Sequence, residues 1–133
     1  MPWHAAQAGT PLFGTTPAEI GAIEMWIRRI ELMVMEPIGK IWVHTHPFTA
    51  RLPIQRFPEY GESNRSRALD GFAMCDAALG SSPWLAGDAF SMADILLLTT
   101  VDFAAFIGVP LPENLAHLRA WHDRVLARPS AKA

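Results

Sequence analysis

Five histidines, one cysteine and two carboxylates set among apolar residues are the side chains here whose types could support chemistry. His44-Thr45-His46 and the pair His117/His122 come nearest to a metal-ligand pattern. On a helix His44 and His46 point to different sides, and no carboxylate stands between them as in H-E-x-x-H. His117 and His122 are five positions apart, a poor spacing for one helical face. Capping and core packing are their expected roles, and no metal site is predicted. Cys75 falls on the apolar side of its segment without a local cation, the setting of a buried, inert thiol. As the sole cysteine it excludes an internal disulfide and a cysteine-based zinc site.

No nucleophile elbow, P-loop or dinucleotide fingerprint is present. Asp94 and Asp102 enter an apolar stretch about two helical turns apart, too far for a carboxylate dyad. Asp94 follows Ser91 by three, where a carboxylate satisfies free helix N–H groups. Asp102 is left open between an exposed, a paired and a cleft-lining position. Met25, Trp26, Met33 and Met35 give one helix more soft and aromatic surface than a single core stripe needs. Core or oligomer contact is the favoured role, ahead of a ligand pocket.

Helices must position these groups. Thr16-Pro17-Ala18-Glu19 offers a cap, a first-turn proline and a returning carboxylate. Ile20, Ile23, Ile27, Ile30, Val34, Ile38 and Ile41 then recur with helical period, with Glu24–Arg28 and Glu36–Lys40 as i,i+4 pairs. The pattern predicts a helix over about 17–45, bent near Pro37. Pro47, Pro53 and Pro58 mark a loop. A second helix runs to Leu79 with Leu69, Phe72, Cys75 and Leu79 on one side, weakened by Gly61 and Gly71. The third begins at a capping box, Ser91 and Asp94, flanked by Phe90 and Ile95 as a staple. It is apolar nearly all round, which predicts a buried central helix. The fourth, about 115–127, buries Leu118, Trp121, His122 and Val125, and Pro129 closes it. No segment alternates like a strand. The expected fold is an all-α bundle of four main helices over 16–133, preceded by an arm or linker over 1–15.

The chain has 133 residues, half of them hydrophobic, and a net charge of −2. That suits one domain with a real core. Its basic residues are dispersed, which argues against nucleic acid or an anionic membrane as the main partner. Ile95–Ile107 is shorter than the roughly 20 residues that span a bilayer. No basic segment followed by an apolar run marks the start of the sequence. The expectation is a soluble, cytoplasmic domain.

Trp84-Leu85-Ala86-Gly87-Asp88-Ala89-Phe90-Ser91-Met92-Ala93-Asp94-Ile95 closely resembles the start of the sixth helix of cytosolic glutathione transferases. The resemblance extends to Pro11-Leu12-Phe13-Gly14-Thr15-Thr16-Pro17, which looks like the entry to that family's fourth helix. Glu24-Met25-Trp26-Ile27-Arg28-Arg29-Ile30-Glu31, His44-Thr45-His46-Pro47 and Arg128-Pro129-Ser130-Ala131-Lys132-Ala133 look like bacterial members. It implies the family's C-terminal helical domain without the thioredoxin-like domain that binds and activates glutathione, the co-substrate. Such a chain is expected to bind no cofactor, to offer no catalytic residue and to be inactive alone. Joined to its thioredoxin-like domain, it would form a hydrophobic co-substrate wall and dimer contacts for detoxifying conjugation. Candidate contacts with apolar small molecules are Met25, Trp26, Arg29, Met33, Phe103 and Phe106. Left uncovered, they would form a patch that a homodimer hides, or that Trp3 and Phe13 fold back to cover. Arg28 and Arg29 could contact anions or form a solvated ion-pair face. The rival reading is a stand-alone helical interaction or assembly module.

Overall fold

The computed structural model describes residues 11–132, so expectations for residues 1–10, Trp3 included, lie outside it. Two α-helices, Pro17–Ile30 (α1) and Glu36–Thr45 (α2), are joined without a break by a π-helical stretch, Glu31–Met35. Then come a 3-10 turn at Pro47–Arg51, α3 (Pro58–Leu79), α4 (Met92–Phe106), α5 (Ala116–Leu126) and a final 3-10 turn at Pro129–Lys132. Taking α1 and α2 as one rod, the described residues form a bundle of four helices.

At the start of α1, Thr16 Oγ1 accepts from the Glu19 N–H at 3.2 Å. The Glu19 carboxylate in return accepts from the backbone N–H of Thr15 and Thr16 and from the Thr15 hydroxyl. Those donors, the Thr15 backbone foremost, lower the Glu19 pKa. Ile23, Ile27, Ile30, Val34, Ile38 and Ile41 are all buried, whereas Ile20 lies exposed at the helix start. Of the two anticipated ion pairs, Glu24–Arg28 forms and Arg28 also reaches Glu31. Glu36 and Lys40 form no ion pair.

Proline 37 has no N–H to return to the Met33 carbonyl. The rod answers by widening rather than breaking: its bonds reach one residue further, as from the Glu36 N–H to the Glu31 carbonyl. Pro37 is itself buried with Ile38 and Ile41. Against this stretch lies Gly71 of α3, where a Cβ would overlap the Met33 carbonyl oxygen and crowd Val34. Ten residues earlier, Gly61 sits equally close to His44 and Thr45. The two glycines that weaken α3 as an isolated helix are thus what let it lie against the rod.

The fifth helix has no side-chain cap of its own, since Leu115 stands at that position. Asp76 of α3 supplies the acceptor, taking the Leu118 N–H at 2.9 Å. Leu118, Trp121 and Val125 are buried, but His122 is only partly so. Its Nε2 pairs with Asp102 at 3.1 Å, which places Asp102 as a paired, exposed residue. Along α4, Ala93, Asp94, Leu97, Thr100, Val101 and Ala104 form the buried face. Asp102, Phe103 and Phe106 are on the open side.

Gly71→Ala should lower the urea midpoint by the equivalent of about 1–3 kcal/mol, through overpacking against backbone that cannot move aside. Gly39→Ala, in α2 with open space around the added methyl, should instead stabilise by about 0.5–1 kcal/mol. Equal effects of the two would refute the close-approach explanation.

Candidate functional site

Three regions carry side chains of functional interest. The first is the junction around the start of α4. Ser91 Oγ accepts from the Ala93 N–H at 3.2 Å, and Asp94 Oδ2 accepts from the Ser91 N–H at 2.9 Å. Asp94 Oδ1 takes two further donors from elsewhere in the fold, the Leu85 N–H at 3.0 Å and the Trp121 indole N–H at 2.9 Å. Phe90 is buried beside it, with Ile95 packed on the same core. Its outer side is a cation stack: the Arg128 guanidinium lies 3.8 Å from the Phe90 ring centre, and Arg124 reaches over Trp84. Burial outweighs the three donors and the Arg128 charge, so the Asp94 pKa is raised. Above this junction, a cavity of about 380 Å³ opens between Gly14–Ile23 and Ala86–Ser91.

The second region is the outer side of the rod. Met25 and Met33 are exposed, while Trp26 lies beneath them at 8% exposure. Arg29 stacks over the Trp26 ring at 4.9 Å, so its charge is held against an aromatic face. Met33 lines a shallow groove of about 370 Å³ with Leu32, Arg67, Asp70, Gly71 and Met74.

Phe103 and Phe106 belong to neither place. They gather with Trp42, His46 and Phe48 in a third region, with ring centres 4.7–6.2 Å apart. Trp42 is roughly 13 Å from Met33 along the rod. The six residues singled out from the sequence are therefore divided between two surfaces. Trp42 and Phe48 are not foreseen at this surface, and His46 is foreseen only for metal ligation, capping or core packing, although aromatic density at the end of the rod is a readable signal.

Cys75, His44 and His46 are structurally occupied. Burial pushes the Cys75 thiol up to about 12, so it holds its proton at neutral pH. His44 Nδ1 accepts from the Phe57 N–H and His46 Nδ1 from the Phe48 N–H. Among the described residues, no three His, Cys, Asp or Glu side chains converge as a metal site, and nothing resembles an activated nucleophile.

Geometry defines a helical domain held by a capped α4, and sequence comparison identifies its class. Residues 43–129 match the family described as "Glutathione S-transferase, C-terminal domain". The chain is 39% identical over 126 residues to Glutathione S-transferase 2 of Saccharomyces cerevisiae, covering 93% of this chain and 54% of that protein. The crystal structure of Gtt2 from Saccharomyces cerevisiae superposes with a TM-score of 0.88 at 36% identity, covering 96% of this chain and 62% of that one. A glutathione S-transferase domain-containing protein of Marinobacter aquaeolei VT8 follows at 0.85 and 35%, with 92% and 60% coverage. The chain belongs to the glutathione S-transferase family and corresponds to its C-terminal helical domain. It spans about half the length of the curated relative.

Ser91→Ala should cost about 0.5–2 kcal/mol of stability. Asp94→Asn turns an amide N–H₂ toward one of three donors, and should cost about 1–3 kcal/mol or more. The raised pKa means that folded Asp94 holds its proton more tightly than unfolded Asp94. Its contribution is complete below the ordinary aspartate range and is lost as pH rises through the raised value. The urea-midpoint gap between wild type and Asp94→Ala, which leaves no group to titrate at this position, should thus be widest in acid and narrow toward neutrality. A gap that widens with pH would contradict this.

Proposed function

We propose that residues 16–133 serve as the helical half of a cytoplasmic glutathione transferase, with residues 1–15 as the linker into it. In this reading they shape the apolar co-substrate side of the site and contribute to a homodimer. The observation that carries it is 39% identity across nearly the whole chain to a protein named as a glutathione S-transferase. The soft surface of Met25 and Met33, with Arg29 fixed beside it on Trp26, suits apolar electrophiles. Phe103 and Phe106 would act from the separate aromatic surface.

Conjugation adds a glutathione thiolate to an electrophile, and the thiolate needs donors placed where its charge forms. Cys75 is buried and keeps its proton, and His44, His46 and His122 are each held by a partner within the fold. The donors are assigned to a thioredoxin-like domain, so this chain is inactive by itself and binds no cofactor. When no thioredoxin-like domain covers this surface, the groove beside Met33 supports the dimer contact. Arg67 and Asp70, opposite charges on one face of α3, are self-complementary about a twofold axis.

The pure 133-residue chain should show no conjugation of a chlorinated nitroaromatic. Fused to the thioredoxin-like half of the yeast relative, it should gain activity. Turnover by the chain alone refutes the inactivity claim. A folded but inactive fusion, with the chain held instead in a stable complex with another protein, favours the assembly-module reading.

Met33→Asp should shift the sedimenting species from dimer to monomer at micromolar concentration. A parent chain that sediments only as a monomer refutes the dimer contact.

A further inference from the structure

The third region combines exposed apolar side chains with a stretch free of carboxylates, a local feature that the dispersed basic residues of the whole sequence do not suggest and that runs against the expectation of no membrane partner. Residues 37–58 contain Lys40, Arg51 and Arg56 and no Asp or Glu, in a chain of net charge −2. The second half of this stretch exposes Phe48, Leu52, Ile54 and Phe57, and Phe106 of α4 extends the apolar area by stacking on Phe48. Phe48 is 65% exposed and Phe106 59%.

The segment is also firmly held. Thr49 Oγ1 lies within hydrogen-bond distance of the Trp42, Val43 and His46 carbonyls. The Arg56 guanidinium donates to the Val43 and His46 carbonyls. With the two imidazole acceptors described above, these bonds fix a loop that presents apolar side chains outward. The carboxylates beside it are Glu59, on the first turn of α3, and Asp102, which is paired with His122.

We propose that this end of the bundle docks peripherally on an anionic lipid surface, with Phe48, Leu52, Ile54 and Phe57 entering the headgroup boundary and the exposed Arg51 facing lipid phosphates, while Arg56 holds the loop in shape. Apolar side chains flanked by cations are what interfacial binding requires, the first for insertion and the second for attraction. A second copy of the chain is the weaker occupant, because like-charged loops would meet. An acidic polypeptide offers the charge but not the depth of apolar solvent that four outward apolar side chains call for. The inference shares Phe106 with the transferase reading, but its test reads vesicle binding and not conjugation, so the two can fail separately.

The test is co-sedimentation of the full chain with vesicles of phosphatidylcholine alone or with roughly one third phosphatidylglycerol, at low and high salt. Binding should occur on the anionic vesicles and weaken with salt. Arg51→Glu, which changes the local charge by two units, should lower partitioning roughly tenfold or more. The double variant Leu52→Ser/Ile54→Ser changes side chains outside the hydrophobic core. It should weaken partitioning while leaving circular dichroism and the thermal midpoint unchanged. Absent or equal binding to the two vesicle types overturns the proposal, as does undiminished binding by both variants. Retention on polyglutamate without vesicle binding assigns the face to acidic polypeptides and overturns it too. Self-association abolished by Leu52→Ser/Ile54→Ser, without vesicle binding, does the same.

Discussion

A single carboxylate ties together the parts of this fold that are far apart in sequence. Asp94 closes the first turn of α4 through the Ser91 N–H, fixes the preceding loop through Leu85 and receives the indole of Trp121 from α5. Burying a charge is costly unless donors replace the water that it loses. Here three donors come from three separate segments. The group that starts α4 is therefore also the anchor of tertiary bonds to its neighbours. Arg128 adds its charge from outside while resting on Phe90.

The long rod depends on a second constraint, which is steric. Pro37 withholds a donor, the helix widens over Glu31–Met35, and Gly71 brings α3 against the Met33 carbonyl. Close packing of backbone on backbone leaves the side chains of the outer face without a role in the core. That is why Met25, Leu32 and Met33 are exposed although they lie in an apolar sequence. The surface available for ligands or partners is a by-product of how tightly the inner face is packed.

Features written in neighbouring residues could be read before any coordinates. Thr16 with Glu19 and Ser91 with Asp94 announce helix starts within four positions, and the isoleucine stripe marks the buried side of the rod. The family could be recognised for the same reason, since its most specific segment is one such local motif. Relations across the fold left no trace in spacing. Nothing near Leu115 shows that Asp76, about 40 residues earlier, caps α5. A proline signals an interruption but not that it resolves as a π turn. Gly61 and Gly71 register as poor helix formers, because propensity describes a helix alone and their use lies in what approaches them. Among candidate site residues, exposure was the hardest property to foresee. Trp26 and Met25 are adjacent, yet one is buried and the other open, and Phe103 and Phe106 join rings from the last turns of the rod and the 3-10 turn that follows it.

The π turn also bears on how the length of this rod can vary. A π turn holds one residue more than the α turn it replaces, and the surplus is absorbed where it occurs. The helix before Glu31 and the helix after Met35 each keep their own buried isoleucines. Loss of one residue within Glu31–Met35 would return the stretch to α geometry and leave both flanking registers intact. The same deletion anywhere else in the rod would rotate one set of isoleucines away from the core. A one-residue deletion in this helix therefore preserves register only within Glu31–Met35, the same stretch that holds Met33 and Val34 against Gly71.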